Sequence, residues 1–105
     1  MDYNQSNFKE LVELYQLGKI DLAKDKVENL IKKKKNDPAL LNIYALILTK
    51  NKNIKKAEKN FRKAIKIDPN YVEAYSNLGV LLKNSGKYDK AIEIYKKAIQ
   101  KDPNF

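Results

Sequence analysis

Apolar side chains recur at helical spacing between Asn70 and Phe105, and this pattern predicts two short amphipathic helices joined by a turn. The first helix has one apolar stripe at positions i, i+3, i+4 and i+7, formed by Tyr75, Leu78, Gly79 and Leu82. The second helix has a line of small and aromatic residues with isoleucines beside it: Ala91, Tyr95 and Ala98, flanked by Ile92, Ile94 and Ile99.

The same skeleton returns 34 residues earlier and, in weaker form, once more before that. In the middle copy the matching residues are Leu48, Ala57, Phe61, Ala64 and Ile65, and in the first copy they are Leu14, Ala23, Val27 and Ile31. Self-similarity at a fixed period is typical of stacked-repeat proteins. We therefore expect an all-α chain of six antiparallel helices in a single domain, residues 1–105. The repeats would span about residues 4–37, which are degenerate, then 38–71 and 72–105.

Turn residues and possible caps divide the predicted helices. Side-chain N-caps are expected at Asn4 or Ser6, at Asp21, at Asp37 before Pro38, at Asn70 and at Asp89. Gly18 and Gly86 are expected to take the left-handed conformation that closes a helix. Lys52 stands at the equivalent place in the middle turn, so there we expect a neighbouring asparagine to take that conformation or the turn to be looser.

The chain is strongly basic, with a formal net charge of +9 in 105 residues. Lysine supplies 21 of the 22 cations, and Lys, Asn and Ile, whose codons are all A/T-rich, are abundant together. The predicted fourth helix, Ile54–Ile67, has the most basic stripe: Lys55, Lys56, Lys59, Arg62, Lys63 and Lys66. We interpret it as a solvated outer face, because no aromatic side chain lies among these lysines to stack a base. A nucleic-acid or anionic-surface binder is kept as the alternative.

Several classes of chemistry are excluded by composition alone. With no Cys and no His, the chain cannot form a disulfide, a thiolate nucleophile or a Cys/His zinc site. Three glycines allow no phosphate-binding loop. We expect no catalytic residue, no metal and no cofactor. The longest apolar run, Ile43–Leu48, is too short to span a membrane, and no signal peptide is visible, so a cytoplasmic location is expected.

The residues quoted above resemble the tetratricopeptide repeat. In the third unit its pattern is carried by Tyr75, Leu78, Gly79, Leu82, Ala91, Tyr95, Ala98 and Pro103. The resemblance implies a right-handed α-solenoid of three helix-turn-helix units whose first helices line a concave groove. It further implies a non-catalytic protein–protein interaction scaffold that binds a peptide or a partner helix there. The expected groove residues are Phe8, Val12, Asn42, Leu46, Lys50, Glu73, Asn77, Val80 and Asn84.

Two uses known in this family can be compared by position. Members that bind chaperones clamp a C-terminal carboxylate with cations and asparagine, whereas the matching residues here are Phe8, Val12, Ile43, Glu73 and Asn77. A carboxylate clamp is therefore not expected. Arrays of O-linked N-acetylglucosamine transferases have a ladder of asparagines, of which only Asn77 is present here. The opening repeats also resemble those that precede bacterial transferase domains, so a substrate-docking N-terminal segment of a larger transferase is a further alternative.

The predicted sixth helix is apolar over a wider stripe than one neighbouring helix can cover. We therefore expect self-association, docking of a partner, or continuation of the chain into a longer protein. The residues assigned to this surface are Ile92, Ile94, Ile99 and Phe105.

Overall fold

Six helices form the chain in a computed structural model that describes residues 3–104, with side chains from residue 6 onward. They are α1 (Tyr3–Gln16), α2 (Ile20–Lys33), α3 (Pro38–Lys50), α4 (Ile54–Ile67), α5 (Val72–Asn84) and α6 (Tyr88–Lys101). Short turns connect them, so consecutive helices run antiparallel. The array measures 39 × 28 × 22 Å. None of the six helices, over the residues described, is long and apolar enough to cross a membrane.

The packing between helices repeats along the chain and curves the array. Each helix packs against the next, and α3 also touches both α1 and α5. The second helices of the pairs, α2, α4 and α6, make no comparable contact with one another within the described residues. Because the first helices are in contact and the second helices are spread apart, α1, α3 and α5 lie on the concave side. The predicted all-α solenoid is confirmed.

Small and large residues complement each other within each pair of helices. In the third pair, Gly79 on α5 lies directly against the ring of Tyr95 on α6. At the equivalent places the second pair has Ala45 and Phe61, both buried. The first pair has a buried leucine, Leu11, and the smaller Val27 at these positions. From the first pair to the third, the residue on the first helix becomes smaller while its counterpart on the second helix becomes larger. This exchange of volume keeps the core filled.

Only one of the predicted side-chain caps is formed as expected among the described residues. Asp37 Oδ1 accepts hydrogen bonds from the backbone N–H groups of Ala39 and Leu40 at 3.0 and 3.3 Å, and Pro38 occupies the first helical position. The other predicted caps were wrong. Asn4 and Ser6 lie inside α1, and α2, α5 and α6 follow residues that make no side-chain cap bond: Lys19, Tyr71 and Lys87.

Backbone hydrogen bonds explain these differences. The N–H groups of Lys19 and Lys87 donate to the carbonyls of Leu14 and Leu82, both at 2.9 Å, so the end of one helix fixes the start of the next. Before α5, the Asp68 side chain organises the turn by accepting from the backbone N–H of Asn70 at 3.1 Å.

The three turns within helix pairs have the same backbone form. Gly18 and Gly86 have φ angles of +76° and +79°, as predicted, and Lys52 itself has a φ of 64°. The expectation that an asparagine or a looser turn would replace glycine there was wrong. The Lys52 N–H donates to the Thr49 carbonyl at 3.0 Å, as the Gly18 N–H donates to that of Tyr15 at 3.1 Å.

Candidate peptide-binding groove

The first helices supply the whole concave face, and the predicted groove residues all lie on them. Phe8 and Val12 are on α1, Asn42, Leu46 and Lys50 are on α3, and Glu73, Asn77, Val80 and Asn84 are on α5.

Apolar side chains line this face without being fully covered. Phe8, Val12 and Leu46 are partly buried and pack against the core from its surface. Val80 on α5 is 41% exposed. Tyr15 is also partly buried on α1, and burial raises the pKa of its hydroxyl, so this hydroxyl is neutral at physiological pH. The groove therefore presents a discontinuous apolar surface.

The predicted role of Asn42 as a groove residue was wrong, because this side chain is only 5% exposed. It is covered where α3 and α5 touch, and its Oδ1 accepts a hydrogen bond from Asn77 Nδ2 at 3.1 Å. The neighbouring hydroxyl of Tyr71 has a raised pKa, chiefly through burial, with Glu73 adding to the rise and Asn42 opposing it. Asn42 thus joins consecutive first helices, whereas Asn77 remains partly accessible.

The exposed polar residues of the groove include one cation, one anion and one amide. Lys50 on α3, Glu73 near the start of α5 and Asn84 at its end are all exposed. Glu73 stands at the place where a carboxylate clamp needs a cation. A carboxylate bound there would be repelled, and an uncharged or apolar segment would not be.

A second concavity, on the outer side, was not found by sequence reasoning. It has a volume of about 810 Å³ and is lined by one loop residue, Asn36, and by residues of α4: Lys59, Arg62, Lys63, Lys66 and Ile67. A neighbouring depression of about 540 Å³ shares Lys59 and Lys63 and reaches Tyr44 on α3. The lysine stripe was visible in the sequence, but the hollow beside it depends on how Asn36 and its loop lie against α4.

Tyr44, which lines the neighbouring depression, connects three helices. Its hydroxyl donates to Glu28 Oε2 on α2 at 2.9 Å, and Lys56 Nζ on α4 lies 5.5 Å from the centre of its ring. Burial is the main cause of the raised pKa of Tyr44. The ring is buried, so it offers no face for a ligand to stack on.

The predicted association surface on α6 is only partly exposed. Ile92 and Ile99 are exposed, but Ile94 is 7% exposed because it packs into the core of the third repeat, so its assignment to this surface was wrong. Phe105 lies outside the described residues. Ile99 is the counterpart of Ile31 and Ile65, which are half-buried beside the next repeat. Self-association through Ile92 and Ile99 stays a prediction.

Two family profiles match the chain, and their positions agree with the helix pairs. The profile "Tetratricopeptide repeat" matches residues 72–105, and the profile "TPR repeat" matches residues 45–86. The chain belongs to the tetratricopeptide repeat family. The two matches together cover the second and third helix pairs from Ala45 onward.

Curated relatives share these repeats over short stretches. The chain is 46% identical over 43 residues to Small glutamine-rich tetratricopeptide repeat-containing protein 2 of Mycosarcoma maydis, covering 41% of the chain and 12% of that protein. It is 32% identical over 74 residues to Hsp70-Hsp90 organizing protein 2 of Arabidopsis thaliana, covering 70% and 13%. The third is the probable UDP-N-acetylglucosamine--peptide N-acetylglucosaminyltransferase SPINDLY of Solanum lycopersicum, 39% identical over 49 residues, covering 47% and 5%. The chain thus spans about an eighth or less of each relative.

Solved structures share the architecture over nearly the whole chain. The crystal structure of MamA superposes with a TM-score of 0.88 at 22% identity, covering 99% of this chain and 61% of that one. The first TPR of Spaghetti (RPAP3), bound to the HSP90 peptide SRMEEVD, also has a TM-score of 0.88 at 22% identity, with coverage of 96% and 80%. At this identity the likeness shows the fold.

Proposed function

We propose that the chain is a non-catalytic scaffold that holds a peptide or partner helix against α1, α3 and α5. The observation that carries the proposal is the half-covered apolar surface on the concave side, with Val80 41% exposed on α5. The second TPR of Spaghetti (RPAP3), like the first, is bound to a peptide from HSP90, which supports peptide binding as a use of this fold.

The preferred ligand is an internal, mostly apolar segment and not a free C-terminus. The groove has Glu73 where a terminal carboxylate would need a cation, and Phe8 and Val12 on α1 at two other clamp positions. A buried or half-buried carboxylate without a cationic partner is costly. Leucine-like side chains placed on Val12, Leu46 and Val80 would instead remove apolar surface from water.

Selection of displayed random peptides on the immobilised chain tests this proposal. The selected peptides should be rich in apolar residues and should bind equally well with a free or an amidated C-terminus, and SRMEEVD should bind more weakly than they do. Val80→Glu should weaken the selected peptides about tenfold, because it places a charge in the apolar contact.

Leu22→Glu is the matched control, since Leu22 is an exposed leucine on the second helix α2. That variant should bind as the wild type does. Equal binding by the Val80→Glu variant, or selection of peptides that require a free carboxylate, would contradict the proposal.

The likeness to SPINDLY keeps a second candidate open, a repeat segment that docks substrates for a transferase. That likeness covers 49 residues, which are 5% of SPINDLY, so it concerns the repeat sequence of this chain and not the rest of SPINDLY. Sequencing the gene beyond Phe105 tests it, and a stop codon there would exclude a C-terminal transferase domain.

A further inference from the structure

We propose that the outer concavity beside α4 is a second docking site, which binds an acidic protein segment with an apolar residue among its carboxylates. This site is separate from the concave groove. It is formed by the outer face of α4 and by the loop between α2 and α3.

The electrostatics of α4 are the first support. The helix has six cations and one acid, Glu58. That acid is paired with Arg62 and with Lys87, since its two oxygens lie 3.0 Å from Arg62 Nε and 3.6 Å from Lys87 Nζ. The lysines of the concavity, Lys59, Lys63 and Lys66, have no such partner, because over the described part of the chain no acidic side chain lies within ion-pair distance of them. Three cations beside one hollow attract a polyanion.

Comparison between the repeats shows that composition alone does not explain this cluster. A bias toward A/T-rich codons acts on all three repeats alike. Yet the counterparts of Lys59 are the acids Asp25 and Glu93, and the counterpart of Lys66 in the third repeat is Gln100. The second repeat lacks the acids that interrupt this face in the other two repeats.

Ile67 gives the site an apolar element. It is 37% exposed at the edge of the concavity, and its counterparts in the other repeats are Lys33 and Lys101. An isoleucine exposed among lysines, where both other repeats have lysine, fits a ligand that combines carboxylates with an apolar side chain.

A protein segment suits these features better than a nucleic acid. No aromatic residue is among the residues that line the concavity, and the ring of Tyr44, in the neighbouring depression, is buried with its hydroxyl bonded to Glu28, so it cannot stack a base. Arg62 is the one arginine in the chain, and its Nε is paired with Glu58, which leaves lysines that neutralise charge without reading bases.

Fluorescence anisotropy with a defined probe tests the site. The probe is a labelled, acetylated and amidated peptide of six glutamates with a central leucine, and its partner peptide has serine at the centre. The double variant Lys59→Glu/Lys66→Gln takes the residues of the third repeat, so the fold should accept it. It should weaken the leucine peptide about tenfold.

The matched control is Lys96→Glu/Lys97→Gln on the exposed face of α6, which removes the same charge and should change affinity less than about twofold. Ile67→Lys adds a cation, yet it should weaken the leucine peptide and not the serine peptide. That result would separate apolar contact from simple attraction.

Equal losses in the α4 and α6 double variants would overturn the proposal, because net charge alone would then govern binding. Stronger binding of a six-nucleotide oligothymidylate than of the leucine peptide would also overturn it, in favour of a nucleic-acid site. Unchanged binding of groove-selected peptides by the α4 double variant would show that the two sites are distinct.

Discussion

Replacing Gly79 with alanine should destabilise the protein, because the ring of Tyr95 fills the space that a Cβ needs. A Cβ on Gly79 would lie 2.5, 2.8 and 2.9 Å from Cε1, Cδ1 and Cζ of that ring. Overpacking of this kind costs about 1–3 kcal/mol, while the higher helix propensity of alanine contributes about 1 kcal/mol in the opposite direction. The net loss should be about 1 kcal/mol, which lowers the melting temperature by roughly 4–8 °C.

The sign of this effect should depend on the ring, which provides an internal control. The first repeat has Val27 at the position of Tyr95, so Tyr95→Val is a substitution that the fold already contains. In that background the overlap is absent, and Gly79→Ala should stabilise by about 1 kcal/mol through helix propensity alone.

Thermal and urea unfolding of the four proteins of this double-mutant cycle, followed by circular dichroism, measures both effects and their coupling. A higher melting temperature for Gly79→Ala while Tyr95 is present, or an equal effect in both backgrounds, would contradict overpacking by the ring.

Three further predictions concern the middle turn, the ion pairs of Glu58 and the exposed face of α6. Lys52→Gly should stabilise by about 1 kcal/mol, because a non-glycine residue at φ 64° is strained; thermal unfolding should show the rise, and Gly86→Lys should show the opposite change. Burial alone would raise the pKa of Glu58, but Arg62 and Lys87 together lower it. The charged form therefore stabilises the fold at pH values above the unfolded pKa, and this contribution is lost as the pH falls through the folded pKa. Glu58→Gln should therefore cost about 0.5 kcal/mol near pH 7 and almost nothing at about pH 3, as measured by urea unfolding; an equal cost at both would contradict this. Ile92→Lys should reduce association in sedimentation equilibrium, and a wild type that is monomeric at every concentration would contradict the predicted surface.

The repeating pattern alone was sufficient to predict the helices and their stacking. Small residues on one helix opposite large ones on the next, as with Ala45 and Phe61, are a local signal that survives in sequence because each repeat must fill its own core. The predicted bounds of α4, residues 54–67, agree with the structure for the same reason, since Ile54 and Ile67 are the first and last residues of its pattern.

The sequence was a poor guide to capping. Asp21, Asn70 and Asp89 are all good N-cap residues in isolation. In the structure, backbone bonds across each turn fix the following helix, such as that from Lys87 N–H to the Leu82 carbonyl at 2.9 Å. Propensity rules consider one helix at a time and do not include the end of the preceding one.

The burial of individual side chains was the other feature that periodicity could not predict. A helical period identifies the face on which Asn42 lies, but not how closely α5 approaches that face. Ile94 shows the same limit on α6, where the predicted stripe included a residue that its own repeat covers. The outer concavity escaped prediction as well, because it depends on where the loop between α2 and α3 lies relative to α4.

The contact of the first helices, combined with the separation of the second ones, has a mechanical consequence. Straightening the array would pull α1, α3 and α5 apart and break packed contacts, including the 3.1 Å bond between Asn42 and Asn77. Bending it in the other direction would press α1, α3 and α5 more closely together and would disturb the packing of α2 on α3 and of α4 on α5. The array therefore resists flattening. A ligand that needs a flatter groove must supply the free energy to separate the first helices.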